Sequence, residues 1–113
     1  MGTVSELWID TKVRSEKVNA CRKAIRKIVG KSEVEMTPWY DSLKRILVEV
    51  SIRDDGLIQY EHPLGKWYAH KRFARFLNRY VGEGHLTFSG QDGASWGYVF
   101  DGCGSMREFR REA

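Results

Sequence analysis

The chain predicts an α+β domain, an antiparallel sheet with two helices on one of its faces. Three observations carry this expectation. A period-of-two alternation opens the chain at Ser5–Arg14, two helix-period apolar stripes cover residues 16–31 and 66–81, and strand-like runs come in groups of two or three between and after them. Strands grouped between helices, instead of alternating with them one for one, favour antiparallel pairing.

In the first run Leu7, Ile9, Thr11 and Val13 share one side, while Trp8, Asp10 and Lys12 share the other, which is the pattern of a half-buried strand. Ser15 reads as an N-cap for a helix whose stripe is Val18, Cys21, Ala24, Ile25, Ile28 and Val29, with Gly30 as a left-handed stop. Glu33–Thr37 is a short strand candidate, interrupted by Pro38-Trp39-Tyr40-Asp41. Ile46–Arg53 alternates again, and Asp55-Gly56 signals a hairpin returning through Leu57–Tyr60. Pro63 and Gly65 break the chain before a second helix from Lys66 to Val81, buried along Trp67, His70, Phe73, Ala74, Leu77, Tyr80 and Val81. Leu86–Phe88, Trp96–Phe100 and Met106–Arg110 then read as strands separated by glycine-rich turns. The nearest common arrangement is ferredoxin-like, with an added C-terminal β-hairpin. The face of the sheet away from the helices is expected to show Trp8, Asp10, Lys12, Glu49 and Ser51.

At 113 residues and 42% apolar composition the chain suits one domain, residues 1–113, that folds without disulfides or metal. Two cysteines are too few for a disulfide scaffold, and neither sits in a Cys-x-x-Cys pair or a histidine cluster, so neither a zinc site nor a cofactor is expected. Cys21 reads as a small core residue and Cys103 as part of a glycine turn. No secretory segment and no membrane-length apolar run is visible, and the expectation is a protein of the bacterial or bacterial-host cytoplasm that does not engage membranes.

Charge is the strongest functional signal. Residues 16–31 hold six bases against one acid, residues 66–81 hold five bases and no acid, and the whole chain is only +4. Everything outside the two helices is therefore net negative. With both helices on one sheet face, their outer sides would share one surface. A one-sided positive field attracts polyanions or acidic surfaces. Arg22, Lys23, Arg26 and Lys27 on the first helix, and Lys71, Arg72, Arg75 and Arg79 on the second, are the expected contacts to nucleic acid or to an acidic protein surface. Guanidinium groups suit phosphate and carboxylate oxygens. Binding of this kind would carry little sequence specificity. A different class of function, a protein-binding inhibitor of a host system in the manner of an anti-CRISPR protein, would add Trp39 and Tyr40, large aromatics in a loop beside Pro38.

No catalytic set competes with that surface. His85-Leu86-Thr87 matches the His-x-Thr of two-histidine phosphoesterases, but no second copy of the motif exists. Asp54 and Asp55 belong to a turn, and no glycine-rich loop leads into a helix as a phosphate cradle would. The expectation is a non-enzymatic protein, with His85 and Cys103 as the residues around which chemistry would have to be built.

The segment Phe88-Ser89-Gly90-Gln91-Asp92-Gly93-Ala94-Ser95-Trp96-Gly97-Tyr98-Val99-Phe100-Asp101-Gly102 resembles the tail of small uncharacterised phage and mobile-element proteins. Those often end in a Trp-Gly-aromatic strand followed by an acidic-glycine turn. The resemblance covers 15 of 113 residues and carries no catalytic residue across. It implies a small accessory protein of phage or prophage origin.

Overall fold

The computed structural model describes residues 4–30 and 42–112. Seven strands form: β1 (Ser5–Asp10), β2 (Val50–Ile52), β3 (Ile58–Tyr60), β4 (Leu64–Gly65), β5 (Glu83–Gly90), β6 (Ser95–Asp101) and β7 (Met106–Arg111). The helices are α1 (Val18–Val29), α2 (Leu43–Leu47) and α3 (His70–Asn78). Five strands make one sheet in the order β4-β1-β5-β6-β7, every pairing antiparallel, and β2 and β3 pair as a separate hairpin. This is an α+β fold with the expected C-terminal hairpin, β6–β7, extending the sheet. The ferredoxin-like interleaving does not form, because, of the strands between the two long helices, β2 and β3 pair with each other and only the two-residue β4 joins the large sheet, at its edge.

Register assigns side chains to faces. Leu7 lies opposite Phe88 and Phe88 opposite Trp96; Ile9, Leu86 and Tyr98 form the next row. These residues look into the core, together with Phe100 and Met106. The alternate residues lie on the other face, where Glu83 of β5 and Asp101 of β6 make a short row and three longer rows run from β1 to β7. The longer rows are Glu6-Ser89-Ser95-Arg111, Trp8-Thr87-Gly97-Phe109 and Asp10-His85-Val99-Arg107. No described element covers that face, and Trp8 is 57% exposed.

Both long helices bury their apolar stripes in the one core: Val18, Cys21 and Ile25 from α1, and Phe73, Ala74, Phe76 and Leu77 from α3. They therefore lie on the same side of the sheet. The hairpin expected at Asp55-Gly56 forms: the Arg53 N–H donates to the Leu57 carbonyl at 2.9 Å, and the Asp55 carboxylate accepts the Leu57 N–H at 3.1 Å. Gly56 is at φ +90°, and a Cβ there would fall 2.2 Å from the Val13 carbonyl oxygen, so only glycine lets the turn close against the first strand's extension.

Several local expectations change. The first half of the expected Ile46–Arg53 strand is helical. The Ser42 hydroxyl accepts the Arg45 N–H at 3.2 Å as an N-cap, and Leu43, Ile46 and Leu47 at helical spacing turn inward. The second long helix starts at His70, not Lys66, because Trp67 is held elsewhere: its indole N–H donates to the Ser5 carbonyl at 3.0 Å, and its ring packs against Tyr60 and Phe88. Ser15 does not cap α1; it opens a 3-10 turn, Ser15–Lys17, that leads into the helix. Gly30 ends α1 at φ −77°, a right-handed residue and not a left-handed stop. Leu64–Gly65, read as a break, adds a two-residue edge strand to β1. Glu49 and Ser51 belong to the separate hairpin region and not to the open sheet face. The Glu33–Thr37 candidate lies outside the described residues.

Candidate functional site

Neither α1 nor α3 contains an acidic residue. With apolar residues turned into the core, amphipathic geometry leaves Lys23, Arg26 and Lys27 of α1, and Arg72 and Arg75 of α3, exposed; Arg79, just past the end of α3, is exposed as well. A direct contact joins the two helices' ends. Lys17, at the entry of α1, donates from Nζ to the Arg79 carbonyl at 2.9 Å, satisfying a backbone oxygen at the C-terminus of α3. The beginning of one basic helix thus adjoins the end of the other.

Among the expected contact residues, Arg22 and Lys71 are held by identifiable groups within the fold. Arg22 is half-buried: Nε and Nη2 donate to the Ile52 carbonyl at 2.9 and 2.6 Å, and Nη2 also meets the Asp54 carboxylate at 2.9 Å. Its guanidinium fork clamps α1 to the end of β2. Lys71 pairs with Glu108 of β7 at 3.0 Å, an exposed contact worth about 0–1 kcal/mol and easily exchanged for another anion. Trp39 and Tyr40 lie outside the described residues.

On the helix side, between the entry of α3 and strands β6 and β7, opens a groove of about 610 Å³ lined by Trp67, His70, Trp96, Tyr98, Glu108 and Arg110 among others. His70 Nδ1 and the Tyr98 hydroxyl are hydrogen-bonded at 2.6 Å, and the imidazole meets the Trp96 ring edge-on at 4.4 Å. Burial, reinforced by the Glu108 carboxylate opposite, pushes the Tyr98 phenol up to about 12, so it stays neutral at physiological pH. The groove offers flat aromatic walls and hydrogen bonds. Its histidine is a packed, hydrogen-bonded residue of the apolar stripe, as the sequence suggests.

The two residues around which chemistry was considered stand apart from the groove. His85 is on the open sheet face, its Nε2 3.3 Å from the Asp10 carboxylate. Cys103 is exposed in the β6–β7 turn, where its N–H and that of Ser105 donate to the Asp101 carboxylate and hold that group below the usual carboxylate range. Cys21 is buried, and burial pushes its thiol up to about 11, which makes it a poor nucleophile.

One cluster escaped the sequence reading. Glu49, Glu61 and His62 bring one ligand atom each within 4.8 Å of one another, with His62 Nδ1 2.7 Å from Glu49 Oε1. Glu61-His62 is an adjacent pair in sequence, but Glu49 joins it only through the backbone pairing beyond the β2–β3 hairpin, where the Glu61 N–H donates to the Glu49 carbonyl. Two carboxylates and an imidazole are a donor set for a borderline divalent ion, although Glu61 and His62 are exposed and the His62–Glu49 pair satisfies itself.

No helix among the described residues is long and apolar enough to cross a membrane. Comparison with protein-family models, with curated proteins and with solved structures gave no match.

Proposed function

We propose that the protein binds nucleic acid through the outer faces of α1 and α3, using the phosphate backbone and little of the base sequence. The observation that supports this reading is the acid-free exposed row on each helix, with the two helices joined end to end at Lys17 and Arg79. Lys23, Arg26, Lys27, Arg75 and Arg79 are the principal contacts, and Lys71 joins them by exchanging Glu108 for a phosphate. Arg72 lies on the same outer side of α3. Arg22 acts as a structural clamp and contributes only field.

Counterion release makes such binding steeply dependent on salt. Five phosphate contacts imply an affinity loss of roughly 500-fold between about 50 and about 200 mM monovalent salt. Fluorescence anisotropy with short labelled duplex DNA and single-stranded RNA measures this directly. The triple variant Arg72→Glu, Arg75→Glu, Arg79→Glu is expected to abolish binding with an unchanged circular dichroism spectrum. Binding that ignores salt, or no binding to any polyanion, refutes the reading. The same surface also suits an acidic protein, the contact an inhibitor of a host system would use. A lysate partner retained by the wild type after nuclease treatment and lost by the triple variant would favour that alternative.

A further inference from the structure

We infer that the open face of the five-stranded sheet is a self-complementary surface that docks a second copy of this chain. The distribution of charge across the three rows that span this face from β1 to β7 supports the inference. Each row runs from β1 to β7: Glu6 to Arg111, Trp8 to Phe109, and Asp10 to Arg107. Both outer rows begin on a carboxylate and end on a guanidinium, while the middle row begins and ends on an aromatic ring. The residues between these ends carry no carboxylate and no guanidinium.

Symmetry turns that pattern into a contact. Two sheets stacked face to face about a two-fold axis parallel to the strands bring β1 of one copy over β7 of the other. Rows are conserved by that operation. Glu6 then meets Arg111 of the second copy, Asp10 meets its Arg107, and Trp8 meets its Phe109, each contact occurring twice as an isologous interface requires. The alternative two-fold, running across the strands, would set Glu6 against Asp10 of the second copy and Arg107 against its Arg111. The first axis also sets Glu83 over Asp101 of the second copy at the end of the sheet, but it makes four opposite-charge contacts where the second makes four like-charge ones, so charge selects the first axis. Stacking of sheets with their strands nearly aligned is also a common way to close a sheet face.

A base-stacking role for Trp8 fits less well, because Glu6 and Asp10 flank it two residues away on the same face and would repel phosphates. Size sets the strength. Four strands at about 4.8 Å spacing and six residues at about 3.3 Å make a patch roughly 19 by 20 Å. At about 380 Å² a side, that is below the size of stable specific interfaces, so the dimer is expected to be weak, concentration-dependent and further weakened by salt.

Sedimentation equilibrium over a concentration series is the test, with circular dichroism checking that each variant folds. The wild type is expected to show a monomer–dimer equilibrium, and Trp8→Ala to weaken it. Asp10→Arg and Arg107→Asp are each expected to weaken self-association roughly 100-fold. Both the double variant carrying the two changes and an equimolar mixture of the two single variants should restore it, because each re-pairs opposite charges across the axis. A wild type that stays monomeric at every concentration overturns the inference. So does a dimer indifferent to the charge changes, or an oligonucleotide complex of the monomer that is lost in Trp8→Ala.

Discussion

The two faces of the five-stranded sheet are built from the same strands and meet opposite fates. On the covered face Leu86, Phe88, Tyr98 and Phe100 are at most 2% exposed, and Phe88 stacks on Trp96 with ring centroids 4.3 Å apart. On the open face Trp8 is 57% exposed, and the neighbouring strands present Thr87, His85, Val99 and a short row of charges. Apolar content alone does not separate them, since both faces carry aromatic rings. What separates them is ionisable groups. The covered face holds none over its central strands except the neutral phenol of Tyr98, with charge confined to β7 at the rim, whereas the open face has carboxylates on β1 and at one end of β5 and β6, and guanidinium groups on β7. Desolvating a lone charge is costly, so helices can settle on only one of these surfaces.

Substitution tests this contrast, beginning with the largest effect. Phe88→Ala removes a ring packed against Trp67, His70 and Trp96 and is expected to lower stability by about 3–5 kcal/mol in urea denaturation. Trp8→Ala, measured at dilution where the chain is monomeric, should change stability by less than about 0.5 kcal/mol. Similar losses at the two positions would break the distinction.

A smaller effect comes from Tyr98. Removing its hydroxyl in Tyr98→Phe should cost about 1 kcal/mol at neutral pH, the ordinary worth of its hydrogen bond to His70. The phenol titrates near 12 in the folded chain and near its ordinary value of 10 in the unfolded one. The folded state therefore holds its proton longer, and stability that is complete below pH 10 is lost as pH rises toward 12. Half-buried Tyr60, also pushed up to about 12 by burial and by the Glu49 carboxylate, adds to the same alkaline decline. Thermal melts between pH 9 and pH 12 should show a shallower decline in Tyr98→Phe; identical slopes would mean that the phenol ionises freely.

A comparably small change is expected at His85→Gln on the open face. It removes an exposed contact with the Asp10 carboxylate and should leave the melting curve nearly unmoved. A large loss there would mean that the open face contributes to the monomer's stability after all.

Much of this contrast is legible in the sequence, because alternation at Leu7, Ile9, Thr11 and Val13 against Trp8 and Asp10 already divides β1 between two environments. The Asp55-Gly56 turn is legible for a local reason: its hydrogen bonds stay within five residues. Ile46–Arg53 misleads because Ile46, Val48, Val50 and Ile52 alternate while Leu43, Ile46, Leu47 and Val50 also fit a helical stripe, and the Ser42 cap decides between them. The start of α3 depends on Trp67 reaching the Ser5 carbonyl, a contact 62 residues away that no local pattern announces. The same is true of the candidate site. The acid-free helices are visible as composition, but the engagement of Arg22 by Ile52 and Asp54, and the meeting of Lys17 with Arg79, exist only once the chain is folded.

The position of β1 has a consequence for how the chain reaches this structure. The strand formed first in synthesis lies inside the sheet, and its partners are Leu64–Gly65 and Glu83–Gly90. By contrast β5, β6 and β7 form a meander of neighbouring hairpins that can assemble locally. Until β5 has been made, Leu7 and Ile9 have only the two-residue β4 beside their strand, and closing the loop that brings them to β5 must precede most of the reward from their burial. Folding is thus set up as a late docking of the first strand onto a C-terminal meander, and the interval before that docking is when the nascent chain most needs protection from aggregation.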